Sequence, residues 1–291
     1  SSKCPVYFAP AMDLDMYKHP SSVESLNKLQ SFDNILIPAT SGELASGLIG
    51  EGRMAEPEDI VSFIEKDICF KLPLKGKKVL VTAGPTYEAI DPVRFIGNHS
   101  SGKMGFAIAS AAANLGAEVF LISGPSNQQI KHSLVHRVDV VSAEEMYDAS
   151  HIYFKDVDIA ILSAAVADYK PKNSASEKIK KTDTALELSL SPTKDILASL
   201  GAIKKQQYLV GFALETNNEI ENAKGKLKRK NLDAIILNSL KDKGAGFAKD
   251  TNKITFIDKE FNEKAFKLKS KVAVAKDIMN EIVNRIKKQD E

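Results

Sequence analysis

Short runs of apolar residues alternate along most of this chain with longer segments in which apolar residues recur every three or four positions. The alternation begins near Lys77 and continues to the C-terminal end. The short runs are apolar at nearly every position, which is typical of parallel strands covered by helices on both faces. The pattern therefore predicts an α/β fold with a doubly wound, mainly parallel, Rossmann-like sheet.

The predicted strands and helices follow one another at short intervals. Gly116 is expected to cap the end of the first helix, and Ser142 with Glu145 predicts a capping box at the start of the next. Strands are expected at Val79–Thr82, Val119–Ile122, Val138–Val141, Ile159–Ala165, Tyr208–Phe212, Ala234–Leu237 and Lys253–Phe256. Helices are expected at Gly105–Leu115, from Ser142 onwards, after Pro192, at Asn218–Lys230 and at Lys271–Lys287.

The first 70 residues follow a different pattern, in which apolar bursts are broken by Pro, Gly and Ser around one helical stretch at Ser22–Leu29. Pro57 and the acidic residues beside it predict the first turn of another helix that runs to about Lys66. Residues 71–76 have the composition of a linker. We therefore expect a front segment (1–70), a linker (71–76) and a main domain (77–291).

Composition narrows the class of protein. The 40 basic and 38 acidic residues give a net charge of only +2, so the whole chain lacks the charge footprint expected of a nucleic-acid or membrane-surface binder. Cys4 and Cys69 are too few for a disulfide framework and lack metal-ligand spacing. The longest apolar run, Val157–Val166, is far shorter than a membrane span. We expect a soluble, cytoplasmic protein.

A candidate phosphate site lies in Asp91–Gly105, between a predicted strand and an Ala-rich helix. Exposed N–H groups and the positive end of the helix dipole favour an anion at such an entrance. Gly97 and Gly102-Lys103 have P-loop spacing, but Met104 stands where Ser or Thr would hold magnesium. The segment after Gly84 does not fit the dinucleotide fingerprint either. Two interpretations remain, an unusual nucleotide site and an ordinary strand–helix loop.

From about residue 77 to the end, the chain resembles the phosphopantothenoylcysteine synthetase (phosphopantothenate–cysteine ligase) half of the bacterial bifunctional coenzyme A biosynthesis enzyme. The order and spacing of many motifs agree, which is far more specific than one glycine motif. The matching motifs are Thr82–Thr86, Asp91–Ile96, Asn98–Gly105, Ala164–Tyr169, Glu177–Lys181, Gly211–Asn217 and Lys230–Asp233.

The front segment resembles the later part of the flavin-dependent decarboxylase domain of the same enzyme. Ala9–Tyr17 is similar to its Pro-x-Met-Asn-x-x-Met motif, and residues 41–57 are similar to its lid and tail. Asp13 replaces the Asn implied to hold the substrate carboxylate, and Ser46 replaces the proton-donating Cys. Most of the implied FMN site belongs to a part of that domain that this chain does not match. We therefore expect FMN only in a full-length decarboxylase domain, and no decarboxylation by this chain alone.

The resemblance implies a two-step ligation. The carboxylate of 4′-phosphopantothenate attacks the α-phosphate of CTP and releases pyrophosphate, and the amine of cysteine then displaces CMP from the acyl-cytidylate. Both steps build charge on oxygen, which calls for Mg²⁺, cations and N–H donors. The choice of CTP over ATP follows only from the resemblance, which also implies a homodimer, for which we expect Lys241–Lys249 to be part of the contact.

The resemblance also implies roles for individual residues. Asn98 and Lys178 are the expected catalytic residues; Asn98 would hold the acyl carbonyl, and Lys178 would lie on a closing flap. Arg94 and Asn98 are expected to bind the substrate, and Asp168 to bind the ribose or Mg²⁺. The expected nucleotide-binding residues are Gly84, Ser100, Ser101, Gly102, Lys103, Met104, Gly105, Leu162, Ser163, Ala164, Asp168, Lys178, Lys194, Asp195, Ile196, Leu197, Phe212, Lys226 and Lys230.

Structural alternatives stay open for several of these residues. Asn98 could be a turn residue, Asp168 a helix cap and Phe212 a core residue. Lys226 and Lys230 lie four residues apart and so share a helix face, although basic residues are also common at a helix end. At the level of function, a nicotinamide-dependent oxidoreductase fits the fold but lacks the glycine fingerprint, and a non-catalytic flavin-binding module is the third candidate.

Overall fold

The computed structural model describes residues 4–181, 185–215, 217–239 and 250–290. The chain divides into two units, residues 1–72 and 73–291. Leu74 is buried in the core of the larger unit, and its N–H donates to the carbonyl of Leu115. The second half of the segment expected as a linker therefore belongs to the larger unit.

The smaller unit consists of short strands and three helices. β1 and β2 pair in parallel, and β3 and β4 pair antiparallel. Pro57 is the first residue of α3, as the sequence predicts. The elements are β1 (Tyr7–Phe8), α1 (Leu14–Lys18), α2 (Pro20–Gln30), β2 (Ile35–Leu36), β3 (Thr40–Glu43), β4 (Ile49–Arg53) and α3 (Pro57–Phe70).

The larger unit alternates strands with helices. Its first part contains β5 (Lys78–Ala83), β6 (Tyr87–Ala89), β7 (Phe95–Gly97), α4 (Lys103–Asn114), β8 (Glu118–Ser123), β9 (Val135–Asp139), α5 (Ala143–Phe154) and β10 (Ile159–Leu162). It continues with β11 (Tyr169–Pro171), β12 (Leu190–Pro192), α6 (Ile196–Ile203), β13 (Tyr208–Glu215), α7 (Glu219–Arg229) and β14 (Ala234–Ser239). The last elements are β15 (Thr251–Asn252), β16 (Ile254–Asp258), β17 (Glu263–Ala265), β18 (Lys269–Ser270) and α8 (Lys271–Asp290).

Six parallel strands in the order β9-β8-β5-β10-β13-β14 form most of an eight-stranded sheet, which antiparallel β16 and β17 extend. The chain moves outward from β5 to β9 in one direction and from β10 to β14 in the other. This is the doubly wound arrangement, and its order reverses between β5 and β10. The predicted fold class is confirmed.

The two faces of the sheet bury separate cores. Val79 and Val81 of β5 pack in a core with α4 and α8, whereas Leu80 packs on the other face with α5, α6 and α7. All three side chains are fully buried. A strand covered on both faces needs apolar residues at consecutive positions, which explains the apolar runs in the sequence.

Some predicted boundaries are wrong. β9 covers Val135–Asp139 rather than Val138–Val141, because Val135 pairs with Val119 of β8. β10 ends at Leu162 rather than Ala165, because the chain beyond it leaves β13 and bonds to the loop after β5. The capping box of Ser142 and Glu145 at α5 is confirmed. The antiparallel pairs β6–β7 and β11–β12 were not predicted, because strands of three residues are too short to show a period.

Among the helices within the described ranges, none combines the length and the apolar character needed to cross a membrane.

Candidate active site

A cleft opens at the carboxyl ends of β5, β10 and β13, where the order of the sheet reverses. Doubly wound sheets bind ligands at this position, since the loops diverge there. Much of the predicted nucleotide site lines the cleft, namely Ser100, Ser101, Gly102, Lys103, Met104, Gly105, Ser163, Ala164 and Phe212. Further lining residues were not predicted, namely Ala165, Ala213, Leu214, Asn238, Asn252 and Lys271.

The N-terminus of α4 forms one wall of this cleft. Gly102 precedes the helix with φ of 79°, a conformation that L side chains rarely adopt, and no described side chain caps the first turn. A Cβ on Gly102 would lie 3.4 Å from Cα of Gly84, so these two predicted residues are neighbours. The N–H groups of the first turn therefore face the cleft without a side-chain acceptor at the N-cap.

Two lysines bring positive charge to the same wall. Lys103 is the first residue of α4, and Lys271 is the first residue of α8. Nζ of Lys103 lies 2.5 Å from a carboxylate oxygen of Asp250. Burial lowers the pKa of the Lys271 ammonium, and the charge of Lys103 lowers it further. The cleft is thus suited to an anion.

Asn238 and Asn252 also line the cleft. Asn252 is buried, and its amide nitrogen donates to the side-chain oxygen of Asn238 at 3.1 Å. Its own side-chain oxygen accepts from the N–H of Lys253 at 3.0 Å, which fixes its orientation. Asn238 lies near the end of β14 and Asn252 ends the short strand β15, and neither segment contains a nucleotide motif.

The loop after β10 is held against the loop after β5. Nδ2 of Asn98 donates to the carbonyls of Ala165 and Val166, both at 3.0 Å. The hydroxyl of buried Thr86 accepts from the N–H of Ala167 at 2.9 Å. Asn98 therefore positions this loop, and both of its amide hydrogens are used in doing so. Its expected contact with an acyl carbonyl stays a prediction.

Arg94 takes part in a buried clamp. The carboxylate of Asp91 is fully buried and accepts from the backbone N–H groups of Val93 and Arg94, both at 2.8 Å. It also accepts from Nε of Arg94 at 3.0 Å and from the N–H of Ile179 at 3.1 Å. Nη2 of Arg94 in turn donates to the carbonyl of Ile179 at 2.7 Å.

This clamp fixes the segment that carries Lys178. Lys178 is exposed and directly precedes Ile179, whose backbone is held on both sides by Asp91 and Arg94. The segment expected as a closing flap is therefore anchored at one point. The guanidinium of Arg94 serves this anchor, and its expected role in substrate binding stays a prediction.

Asp168 lies just beyond the strand β10 and is exposed. Its backbone carbonyl accepts from the N–H of Thr193 at 2.9 Å. No cluster of three His, Cys, Asp or Glu side chains suited to a metal occurs within the described ranges. One exposed carboxylate fits a Mg²⁺ ion that is held mainly by substrate phosphates, which is how proteins commonly bind this ion.

The remaining predicted cations are paired with carboxylates. Nζ of Lys226 lies 2.6 Å from Glu215, and Nζ of Lys230 lies 2.7 Å from Asp195. Asp195 also caps α6 by accepting from the N–H of Ala198. Nζ of Lys194 lies 3.4 Å from a carboxylate oxygen of Glu144. Lys194 therefore has a different partner from Lys230, which pairs with Asp195.

Apolar members of the predicted site pack beneath these groups. Leu162 and Ile196 are buried. Leu197 lies over β13, where a Cβ on Gly211 would approach its Cδ2 to 2.6 Å. Phe212 is partly buried, packs against the core on the α4 side and lines the cleft. Both interpretations of Phe212, core packing and contact with a ligand, are therefore compatible with its position.

The smaller unit brings the two decarboxylase positions together. The hydroxyl of Ser46 donates to Oδ1 of Asp13 at 2.9 Å. The same oxygen accepts from the N–H of Leu14 at 2.8 Å and so caps α1. Two motifs that are far apart in the sequence thus meet in the structure.

Comparison with known proteins places both units in families. Residues 74–286 match the model of the DNA/pantothenate metabolism flavoprotein C-terminal domain, and residues 1–69 match the Flavoprotein model. The coenzyme A biosynthesis bifunctional protein CoaBC of Bacillus subtilis is 44% identical, over 97% of this chain and 70% of that protein. A protein named cysteine/cysteine sulfinic acid decarboxylase, from an unknown prokaryotic organism, is 53% identical over 98% of this chain and 81% of its own length.

Solved structures agree with this placement. The crystal structure of the C-terminal domain of CoaBC has a TM-score of 0.65 and 40% identity, and it covers 75% of this chain and all of that domain. The DNA/pantothenate metabolism flavoprotein from Streptococcus pneumoniae has a TM-score of 0.63 and 26% identity, over 71% of this chain and 98% of that one.

Proposed function

Because this chain belongs to the DNA/pantothenate metabolism flavoprotein family, we propose that its larger unit is a phosphopantothenate–cysteine ligase of coenzyme A biosynthesis that uses CTP. The observation that carries the proposal is the cleft itself. Family motifs that are far apart in the sequence meet there, around an uncapped helix N-terminus and two lysines. The family also disfavours the nicotinamide-dependent alternative.

The residues suggest how charge is managed during the reaction. The first-turn N–H groups of α4 and the ammonium of Lys103 would bind phosphate oxygens, since both complement negative charge. Lys226 and Lys230 would leave their carboxylate partners to meet the nucleotide. Mg²⁺ carried by the triphosphate would neutralise charge on the leaving pyrophosphate, and Asp168 would hold it.

The two chemical steps then need position more than a covalent nucleophile. The substrate carboxylate attacks the α-phosphate, and the cysteine amine attacks the acyl carbon after pyrophosphate leaves. Asn98 would fix the loop 165–166 that borders the reacting groups, and Lys178 would add charge from the segment anchored at Ile179. Fixed donors and cations of this kind stabilise charge that develops on oxygen.

Pyrophosphate release tests the proposal. We expect the purified chain to release pyrophosphate from CTP with 4′-phosphopantothenate and Mg²⁺, to do so far more slowly with ATP, and to form the cysteine adduct only when cysteine is added. Lys178→Gln should lower kcat about 10²-fold, the effect of removing one charge-stabilising group. Lys180→Gln, the same change two residues away, should leave kcat within about twofold.

Two results would contradict this function. If folded protein releases no pyrophosphate with either nucleotide, the proposed ligase function is wrong. Equal losses in Lys178→Gln and Lys180→Gln would remove the assigned role of Lys178.

For the smaller unit we propose that FMN binds only in a complete decarboxylase domain. We expect no decarboxylation by this chain alone, because the neighbouring Asp13 and Ser46 offer a carboxylate and a weakly acidic hydroxyl where an amide and a thiol are expected. A flavin absorbance band in the purified chain would contradict this proposal.

A homodimer is also part of the proposal. Phe95 stacks on Tyr87 at 3.8 Å between ring centroids and remains half exposed. Tyr169 and Leu190 are likewise exposed on the antiparallel strands β11 and β12, and β11 packs beside β6. Such an apolar patch is typical of a protein interface. The segment Lys241–Lys249, expected in the contact, lies outside the described residues.

Light scattering measures the assembly directly. We expect twice the 31.8 kDa mass of one chain for the unchanged protein, and a shift to the monomer for Phe95→Asp or Leu190→Asp. Ile152→Asp places the same charge on an exposed apolar position of α5 and should stay dimeric. A monomeric unchanged protein, or dimeric Phe95→Asp and Leu190→Asp variants, would contradict this interface.

A further inference from the structure

Lys103 and Lys271 share an unfavourable position in the cleft. Each is the first residue of a helix, where the positive end of the dipole disfavours a cation. Both line the cleft, and Lys271 is partly buried there. Two ammonium groups at two helix N-termini in one cleft therefore repel each other and both dipoles, which is an arrangement that only an anion would relieve.

The carboxylate of Asp250 offsets part of this repulsion, although Asp250 is not among the residues that line the cleft. Its carboxylate lies 2.5 Å from Nζ of Lys103, yet its side chain is 83% exposed. The backbone carbonyl of Asp250 accepts from the N–H of Lys271 at 2.9 Å, so all three residues form one cluster. One exposed carboxylate faces two cations, and it could turn to solvent at little cost.

We propose that Lys271 is a second phosphate-binding residue of this cleft, and that Asp250 pairs with Lys103 as a stand-in for phosphate when no ligand is bound. The inference deepens the proposed ligase function and rests on it for the identity of the ligand. The phosphate is either the triphosphate of the nucleotide or the phosphate monoester of 4′-phosphopantothenate. A ligand phosphate would displace the carboxylate of Asp250 and contact both lysines.

Three variants test the inference in the full chain. Lys271→Gln should weaken phosphate binding about tenfold or more, because it removes a charge-assisted contact. Asp250→Asn should strengthen binding by up to about fivefold, because a competing carboxylate is gone. Lys288→Gln makes the same charge change near the other end of α8 and should leave binding unchanged.

Calorimetric titration with inorganic tripolyphosphate gives a readout that does not need catalysis, and KM values for CTP and 4′-phosphopantothenate identify the source of the phosphate. A rise in KM for CTP alone assigns the cluster to the nucleotide, and a rise for 4′-phosphopantothenate alone assigns it to the other substrate. Thermal unfolding of each variant controls for misfolding, and the opposite effects expected for Lys271→Gln and Asp250→Asn cannot both arise from loss of fold.

Failure of this inference is distinct from failure of the ligase function. The unchanged protein could bind tripolyphosphate through Lys271 and yet be inactive. That result would support the anion site and contradict the proposed ligase function. An active enzyme whose affinities and KM values stay within twofold in Lys271→Gln would overturn the role of Lys271. Binding that is unaltered or weakened in Asp250→Asn would overturn the role of Asp250.

Discussion

Gly105→Val is expected to destabilise the larger unit by about 1–3 kcal/mol. It is also expected to abolish the CTP binding that calorimetry detects in the unchanged protein. Gly105 lies in the first turn of α4, and a Cβ there would lie 2.5 Å from Cβ of Ala83 and 2.8 Å from Oγ of Ser163. Ala83 ends the central strand β5, and Ser163 directly follows the central strand β10. The helix would have to move away from them, and its N–H groups would leave the cleft.

Gly225→Val is the matched control for this prediction. Gly225 lies in helix α7 with no atom within 4 Å of an added Cβ, so the change should alter stability by less than about 0.5 kcal/mol. Chemical denaturation gives the stability, and calorimetry with CTP gives the affinity. If the two variants lose stability and CTP affinity equally, the close packing of α4 on β5 is not what forms the site.

The sheet could be predicted because its strands are buried on both faces. Val79, Leu80 and Val81 alternate between two cores, so consecutive positions in the middle of the strand have to be apolar. The doubly wound order followed from the alternation of such strands with helices. By contrast, the pairs β6–β7 and β11–β12 expose side chains such as Phe95 and contain three residues per strand, so no period identifies them.

The part of the site that was predicted lies in segments that carry a recognisable family motif, which include Ser163 and Phe212 as well as the loop before α4. The stretch from Ser100 to Gly105 lies on one loop and one helix turn, and it lines the cleft as expected. Asn252 and Lys271 come from the far end of the chain and reach the cleft through the packing of α8 on α4. Local sequence does not encode that packing, although a lysine at the start of a helix is itself an unfavourable choice that hints at a bound anion.

The pairing of the predicted lysines with carboxylates was missed for a related reason. Glu215 and Asp195 lie at the ends of separate elements, and only the folded chain shows that they pair with Lys226 and Lys230. Sequence motifs identify which cations a family uses. They do not show what neutralises those cations before a ligand arrives.

Asp91→Asn is expected to lower the melting temperature by several degrees and to reduce kcat more than it changes KM. The substitution removes the charge that Arg94 pairs with, and it places a donor where Oδ2 accepts from Arg94 and Ile179. Position 91 is fully buried, so donors that lose their acceptor there carry the cost of an unsatisfied polar group. The segment that carries Lys178 would lose its anchor, so the effect on catalysis should exceed the effect on binding.

Asp139→Asn is the control, because it also removes an Asp–Arg ion pair but does so at an exposed position. Asp139 pairs with Arg137 at the surface, where an ion pair contributes little to stability. Its melting temperature and kcat should stay close to those of the unchanged protein. If Asp91→Asn behaves in the same way, the anchor at Ile179 is not needed for the reaction.

The dependence on pH gives a second test of the same clamp. The Arg94 guanidinium holds the pKa of the Asp91 carboxyl well below its usual range; burial opposes this, and the backbone N–H groups of Val93, Arg94 and Ile179 reinforce it. Because the folded pKa is lower than the unfolded value of about 3.9, the stabilisation is fully present above that value. It is lost as the pH falls through the folded pKa. The difference in thermal stability between the unchanged protein and Asp91→Asn should therefore be constant from neutral pH to about pH 5 and shrink below about pH 4. A difference that grows on acidification would contradict an ionised Asp91 in the folded state.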